Sequence, residues 1–238
     1  MEIMPFALSL LLMSSAQAQQ PPPVQLITFQ LPPLVEASEE GNIQGIAIDL
    51  VQRLFDVADV PYELSIQPSR RALESTLNTP GVCAFPVERS QEREALFEWV
   101  GPVTISRHGF YSHPDHPKPL LTMEDARGYQ IGSFIGSGVG EYLADLGFSV
   151  YQTPEPSQGL LMLSHQRIDL WVSDTRAAPA IAEKMNVDLK HSELEFFTTL
   201  RSMACHPDTD PETLAHLSQT LLKLFLSGEA ESLLRLNL

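Results

Sequence analysis

The stretch Glu88-Arg89-Ser90-Gln91-Glu92-Arg93-Glu94-Ala95-Leu96-Phe97-Glu98-Trp99-Val100-Gly101-Pro102 stands at the point where the pattern of the chain changes. Immediately before it lies Val82-Cys83-Ala84-Phe85, a short apolar run with the length and composition of a buried strand. The strand runs into a charged connection. Beyond that connection, Thr104 to His113 reads as an extended crossing segment, and His113 to Pro119 is a Pro-rich linker.

Working outward, the same order of elements occurs on both sides. Upstream, Val24 to Phe29 is strand-like, and Ile46, Leu50, Val51 and Leu54 share one face of a helix. A strand at Tyr62 to Gln67, a helix from Ser69 to Leu77 and the Val82 strand complete a β-α-β-α-β series, the order that builds a parallel sheet. Downstream, Thr122-x-x-Asp125 resembles a cap for one helical turn. Strands are expected at Gln130 to Phe134, Ser149 to Gln152 and Asp169 to Ser173, with helices at Val139 to Asp145, Ser157 to His165 and Thr175 to Asn186. Leu194 to Cys205 reads as a second crossing. Asp210-Pro211 then opens a closing helix with Leu214, Leu217, Leu221, Leu222 and Phe225 at helical spacing. Two α/β halves joined by two crossings predict a hinged, two-lobed protein with its binding site in the cleft. The expected division is residues 24–104 plus 201–238 for one lobe and 107–199 for the other.

With 15 Lys and Arg against 30 Asp and Glu, the 238-residue chain carries a net charge of −15. It has no basic run with which to neutralise phosphates, so no nucleic-acid partner is expected. The apolar run from Phe6 to Met13, followed by Ala16-Gln17-Ala18, reads as a signal peptide over residues 1–18, although no basic residue precedes the apolar run. A periplasmic monomer is therefore expected. In an oxidising compartment Cys83 and Cys205 are either bridged across neighbouring strands or two inert buried thiols. The seven histidines, His108 among them, are scattered and read mostly as surface residues. No metal-ligand spacing, nucleophile elbow or phosphate loop occurs, so no catalytic residue, metal or cofactor is expected.

These residues carry a family resemblance. Glu88 to Pro102 resembles the R-T-P-E-R-E-x-x-F-x-W-V-G-P signature of bacterial extracellular solute-binding proteins of the amino-acid type, family 3. Gly45-Ile46-Ala47-Ile48-Asp49-Leu50 is similar to the start of that family's first helix, and Pro68-Ser69-Arg70-Arg71-Ala72-Leu73 to its P-W-x-R-A-L helix. Gly132 to Gly138 resembles its glycine turn, and Arg167 to Asp174 its G-R-I-D-A-x-x-x-D segment. The resemblance implies the periplasmic-binding-protein type II fold, α/β in each lobe, and capture of a small amino-acid-like or carboxylate solute, with an ABC-transporter permease as partner. It also implies roles. Arg93 would hold the ligand's carboxylate, because a guanidinium fork makes two charge-assisted bonds to it. The amides of Ser137 and Gly138 at a helix start would share that carboxylate, and Asp174 would take the ammonium or cap the next helix. Arg70 and Arg89 are next in line as carboxylate partners.

The chain also departs from the pattern. Phe85-Pro86-Val87-Glu88 stands where Ser or Thr is usual, the aromatic clamp after the first strand is missing, and the tryptophan of P-W-x-R is Ser69. Glu88 would favour a cationic group if it faces the cleft, and otherwise is a solvated residue pairing Arg89 or Arg93. Two alternatives to transport remain: a sensor that presents a ligand state to a receptor, and an enzyme resembling cyclohexadienyl dehydratase with Glu88 as general acid.

Overall fold

The computed structural model describes residues 22–38 and 41–235. The expected signal peptide, residues 1–18, lies outside the described residues. Strand β1 (Val24–Thr28) leads through a two-stranded ribbon, β2 (Glu36–Ala37) and β3 (Ile43–Gln44), into α1 (Ile46–Ala58). That helix buries Ile46, Leu50, Val51, Leu54 and Phe55 along one face. Then follow β4 (Tyr62–Ile66), α2 (Ser69–Asn78), β5 (Val82–Glu88), the single turn α3 (Gln91–Glu94) and the long β6 (Glu98–Ser112).

After a 3-10 turn at Met123–Gly128 the alternation resumes with β7 (Ile131–Phe134), α4 (Gly138–Asp145), β8 (Val150–Thr153), α5 (Pro156–Ser164), β9 (Leu170–Asp174) and α6 (Ala177–Met185). The long β10 (Leu194–Cys205) returns the chain, and α7 (Pro211–Leu226) and α8 (Glu229–Arg235) end the described part. Asp210 caps α7 through its bond from the Thr213 amide at 2.9 Å, with Pro211 at the first helical position.

The main strands form one eight-stranded sheet in the order β4-β1-β5-β10-β6-β9-β7-β8. Its outer flanks are parallel: β1 with β4 and β5 on one side, β7 with β8 and β9 on the other. Between them β10 runs antiparallel to both β5 and β6, and β6 antiparallel to β9. The sheet is therefore mostly parallel with an antiparallel centre, and that centre is the pair of crossings. The molecule is two-lobed, with helices flanking each parallel portion.

One apolar core joins β1, β5, α1 and α7, where Leu214, Leu217, Leu221 and Leu224 pack. Two others serve the opposite flank: one around Phe110, Ile131, Leu143 and Leu170, and one around Trp171, Leu160 and Ile181. Each aliphatic side chain withdrawn from water contributes on the order of 1.5–3 kcal/mol to folding. The cysteines stand directly opposite each other on β5 and β10 and form a disulfide, with Cα atoms 4.0 Å apart.

Strand β5 runs three residues further than the apolar run predicts, because Pro86 does not end it. Proline has no N–H for a ladder. Here the register of β10 shifts between Ser202 and Ala204, opposite Phe85 and Pro86, so the missing donor falls at a bulge. Val87 and Glu88 remain in the strand, and Glu88 enters the interior.

Candidate functional site

Residues that follow β1 and β4 (Phe29, Gln67) line one cavity together with Phe134 at the end of β7 and Glu155 after β8, and Glu88 at the end of β5 meets the Val139 amide in the first turn of α4. In open α/β sheets ligands bind in such crevices. Positive φ at Gly136 (+87°) turns the chain from β7 into α4, and the Ser137 hydroxyl caps that helix by accepting from the Gly140 amide at 3.2 Å.

Glu88 is the centre of the site. Its Oε1 accepts from the Arg201 guanidinium at 2.7 Å and lies 2.9 Å from Nε2 of His108. Its Oε2 accepts from the Val139 amide, in the first turn of α4, at 3.0 Å. All three side chains are buried. An ionised carboxylate only accepts, so Nε2 of His108 carries the proton in that contact. Burial alone would push the Glu88 carboxyl up, but Arg201 and His108 outweigh it and hold the group far below the usual carboxylate range. Arg201 is itself fixed by donating to Ser106 Oγ at 2.5 Å and to the Pro86 carbonyl at 3.2 Å.

Further contacts bridge the gap. Arg93 donates to Glu141 of α4 at 2.6 Å and to the Gly136 carbonyl at 3.1 Å. Ser69, at the start of α2, donates to the Ile135 carbonyl at 2.7 Å. Two cavities lie beside these bridges. One of about 350 Å³ is lined by Glu88, Glu92, Gly138, Tyr142 and Phe197. The other, of about 240 Å³, lies between Phe29, Gln67 and Ser69 on one side and Phe134 and Glu155 on the other.

The residues singled out in the sequence come together only in part. Arg93, Ser137, Gly138 and Glu88 meet at the start of α4. Arg93 is buried and engaged by Glu141 rather than by an acidic neighbour on its own segment. The Ser137 amide donates to the Phe134 carbonyl at 3.1 Å, so it belongs to the turn and does not point at a ligand. Asp174 caps α6: its Oδ1 accepts from the amides of Arg176 (2.8 Å) and Ala177 (3.2 Å). Its Oδ2 is buried without a partner among the described residues. Arg70 does not join the group. Its side chain is 71% exposed and pairs with Glu74 one turn along α2. Arg89 likewise pairs with Glu94, at 2.5 Å.

The alternative that Glu88 is a solvated partner of Arg89 or Arg93 is corrected by the structure. It is 2% exposed, and its partners come from the two crossing strands. The surface reading of His108 is corrected for the same reason, with its ring at 2% exposure and Nδ1 unpartnered among the described residues. Sequence reasoning missed Arg201 altogether. A signal existed: an arginine inside an apolar strand needs a buried anion, because a lone buried charge is prohibitively unfavourable.

The geometry is a two-lobed α/β fold like that of periplasmic-binding-protein-like structures. Its solved neighbours agree. A histidine kinase sensor domain with similarity to periplasmic binding proteins matches with TM-score 0.82 at 19% identity, over 92% of this chain and 97% of its own. A mutant of the arginine-binding protein ArgBP from T. maritima matches with TM-score 0.78 at 20% identity, over 90% and 95%. An ancestral amino acid-binding protein, a precursor of cyclohexadienyl dehydratase, matches with TM-score 0.75 at 15% identity, over 90% and 94%. No family model matches the chain, and no curated protein does.

Proposed function

We propose that this protein captures a small, amino-acid-sized solute between its lobes in the periplasm and presents the closed form to an importer. The observation that carries the reading is the set of bridges from Ser69, Glu88 and Arg93 to the start of α4, which meet where cavities of about 240 and 350 Å³ remain. Those volumes lie at or near the lower end of the range for small-molecule sites. A ligand that touches both sides binds the closed form better than the open one and so shifts the population toward closure. Delivery to an importer follows from that two-state behaviour, since a permease can distinguish closed from open.

The mature chain, challenged with small amines, amino acids and carboxylates, should show a saturable rise in Tm with at least one of them. A ligand that binds only the folded state stabilises it by RT ln(1 + [L]/Kd). No response to any of the three classes would reject the reading. The sensor domain among the structural neighbours favours presentation to a receptor as the second reading. Co-purification of the loaded protein with a permease or with a receptor separates the two.

A further inference from the structure

The anion at the start of α4 is supplied by the chain itself. Glu88 uses the Val139 amide, Arg201 and His108 together, and these are the donors a ligand's carboxylate would need there. The approach is close: a Cβ on Gly138 would lie 2.5 Å from Oε2 of Glu88, so a side chain there would displace the carboxylate from its present position. Arg93, the remaining cation at this end of α4, is held by Glu141 and the Gly136 carbonyl. A carboxylate arriving with a ligand would be a second anion beside Glu88, with those donors already engaged.

The cavity of about 240 Å³ on the same cleft has the opposite character. Phe29, Gln30, Gln67, Ser69, Phe134 and Glu155 line it, and no basic residue does. Glu155 is partly buried, and among the described residues no Lys, Arg or His stands within ion-pairing reach of its carboxylate. Lys184 lines an adjoining cavity that Glu155 also lines, beside Pro32 and Ser157, and forms no ion pair with Glu155. Burial pushes the Glu155 carboxyl up, and no neighbouring cation opposes the shift. A partly desolvated carboxylate between two aromatic rings and two carboxamides is complementary to an organic cation.

We propose that Glu88 is a built-in substitute for the ligand's carboxylate, and that the cleft takes small amines or guanidines lacking a carboxylate, with the cationic head on Glu155. The proposal rests on the solute-capture reading and specifies its ligand class. Arginine binding is read against agmatine, and lysine against cadaverine, by Tm shift and titration calorimetry. In the unsubstituted protein the two decarboxylated amines should bind at least about tenfold more tightly than the matched amino acids, a factor of ten being about 1.4 kcal/mol. Glu155→Gln should lose about tenfold or more in amine affinity with its Tm unchanged.

Glu88→Ala vacates the seat, and there arginine, lysine and acetate should each raise Tm more than they do with Glu88 present. Because Glu88→Ala leaves Arg201 unpaired and the variant is expected to be less stable, Glu155→Gln provides the arm that does not depend on it. Amino acids binding the unsubstituted protein as tightly as their amines would overturn the proposal while leaving solute capture intact. An amine affinity unaffected by Glu155→Gln would overturn it as well. Silence of all five compounds on every variant would overturn the proposal, and solute capture falls with it only if the wider set of amines, amino acids and carboxylates is silent too.

Discussion

Glu88, Arg201 and His108 meet at the junction of the two crossing strands, and their energetics are those of a buried ion pair. Removing two charges from water is unfavourable, and mutual attraction offsets it only when the remaining lone pairs are also satisfied. Here both carboxylate oxygens are used. Arg201→Ala should therefore destabilise the fold by about 3–5 kcal/mol, because it strands a buried anion; urea unfolding at pH 7 measures it. The sign with pH follows from the lowered Glu88 pKa. A carboxyl whose folded pKa lies below its unfolded value of about 4.3 contributes stability that is complete above that value and is lost as pH falls beneath it. Unfolding free energy should begin to decline near about pH 5 and go on declining through and below about pH 3, and Glu88→Gln should flatten that slope. The sequence announced the acid but not its partners. Arg201 stands 113 positions away, and no local pattern connects residues that meet only through strand register.

Helices were the most legible elements, since 3.6-residue apolar spacing and end signals act locally. Asp210 with Pro211 and the leucines of α7 are found where that spacing puts them, with Leu217 fully buried in the core. Leu217→Ala should cost about 2–5 kcal/mol, lost transfer energy plus a cavity. Ser137→Ala, which removes the cap of α4, should cost only about 1 kcal/mol. Chemical denaturation of the two variants side by side checks the ranking, and equal losses would mean that α4 is held by more than its cap. Strand ends were less legible. Pro86 is a strand breaker by any local rule, and only the bulge on β10 explains why β5 continues past it. That continuation carries Glu88 inward, so an error of three residues at one strand end became an error about the site.

At the scale of the molecule, the order of elements was legible as two β-α-β-α-β series and implied a cleft, while the contacts across it were not legible, because they pair residues from different series. Ser69→Ala and Glu141→Gln each remove one bridge across it. The Glu141 side chain is 44% exposed, so its pair with Arg93 contributes no more than about 1 kcal/mol to stability. Together the two substitutions should widen the cleft with little loss of stability. Small-angle scattering should register a larger radius of gyration than the unsubstituted protein has, and an identical scattering profile would show that the remaining contacts suffice. Reducing the Cys83–Cys205 bridge, which closes a separation of 122 residues, should lower stability by about 2–5 kcal/mol, measured by denaturation with and without reductant.

The central position of β10 has a consequence for synthesis. This strand lies between β5 and β6 yet spans residues 194–205, so a chain emerging from the ribosome displays two unpaired strand edges until most of its length has been made. Such edges recruit other strands, and pairing over long sequence separations is slow because loop closure must precede contact. A nascent chain halted before Leu194 therefore cannot finish its sheet and is exposed to aggregation. Productive folding waits for β10, and the two lobes cannot close their shared sheet before it is made.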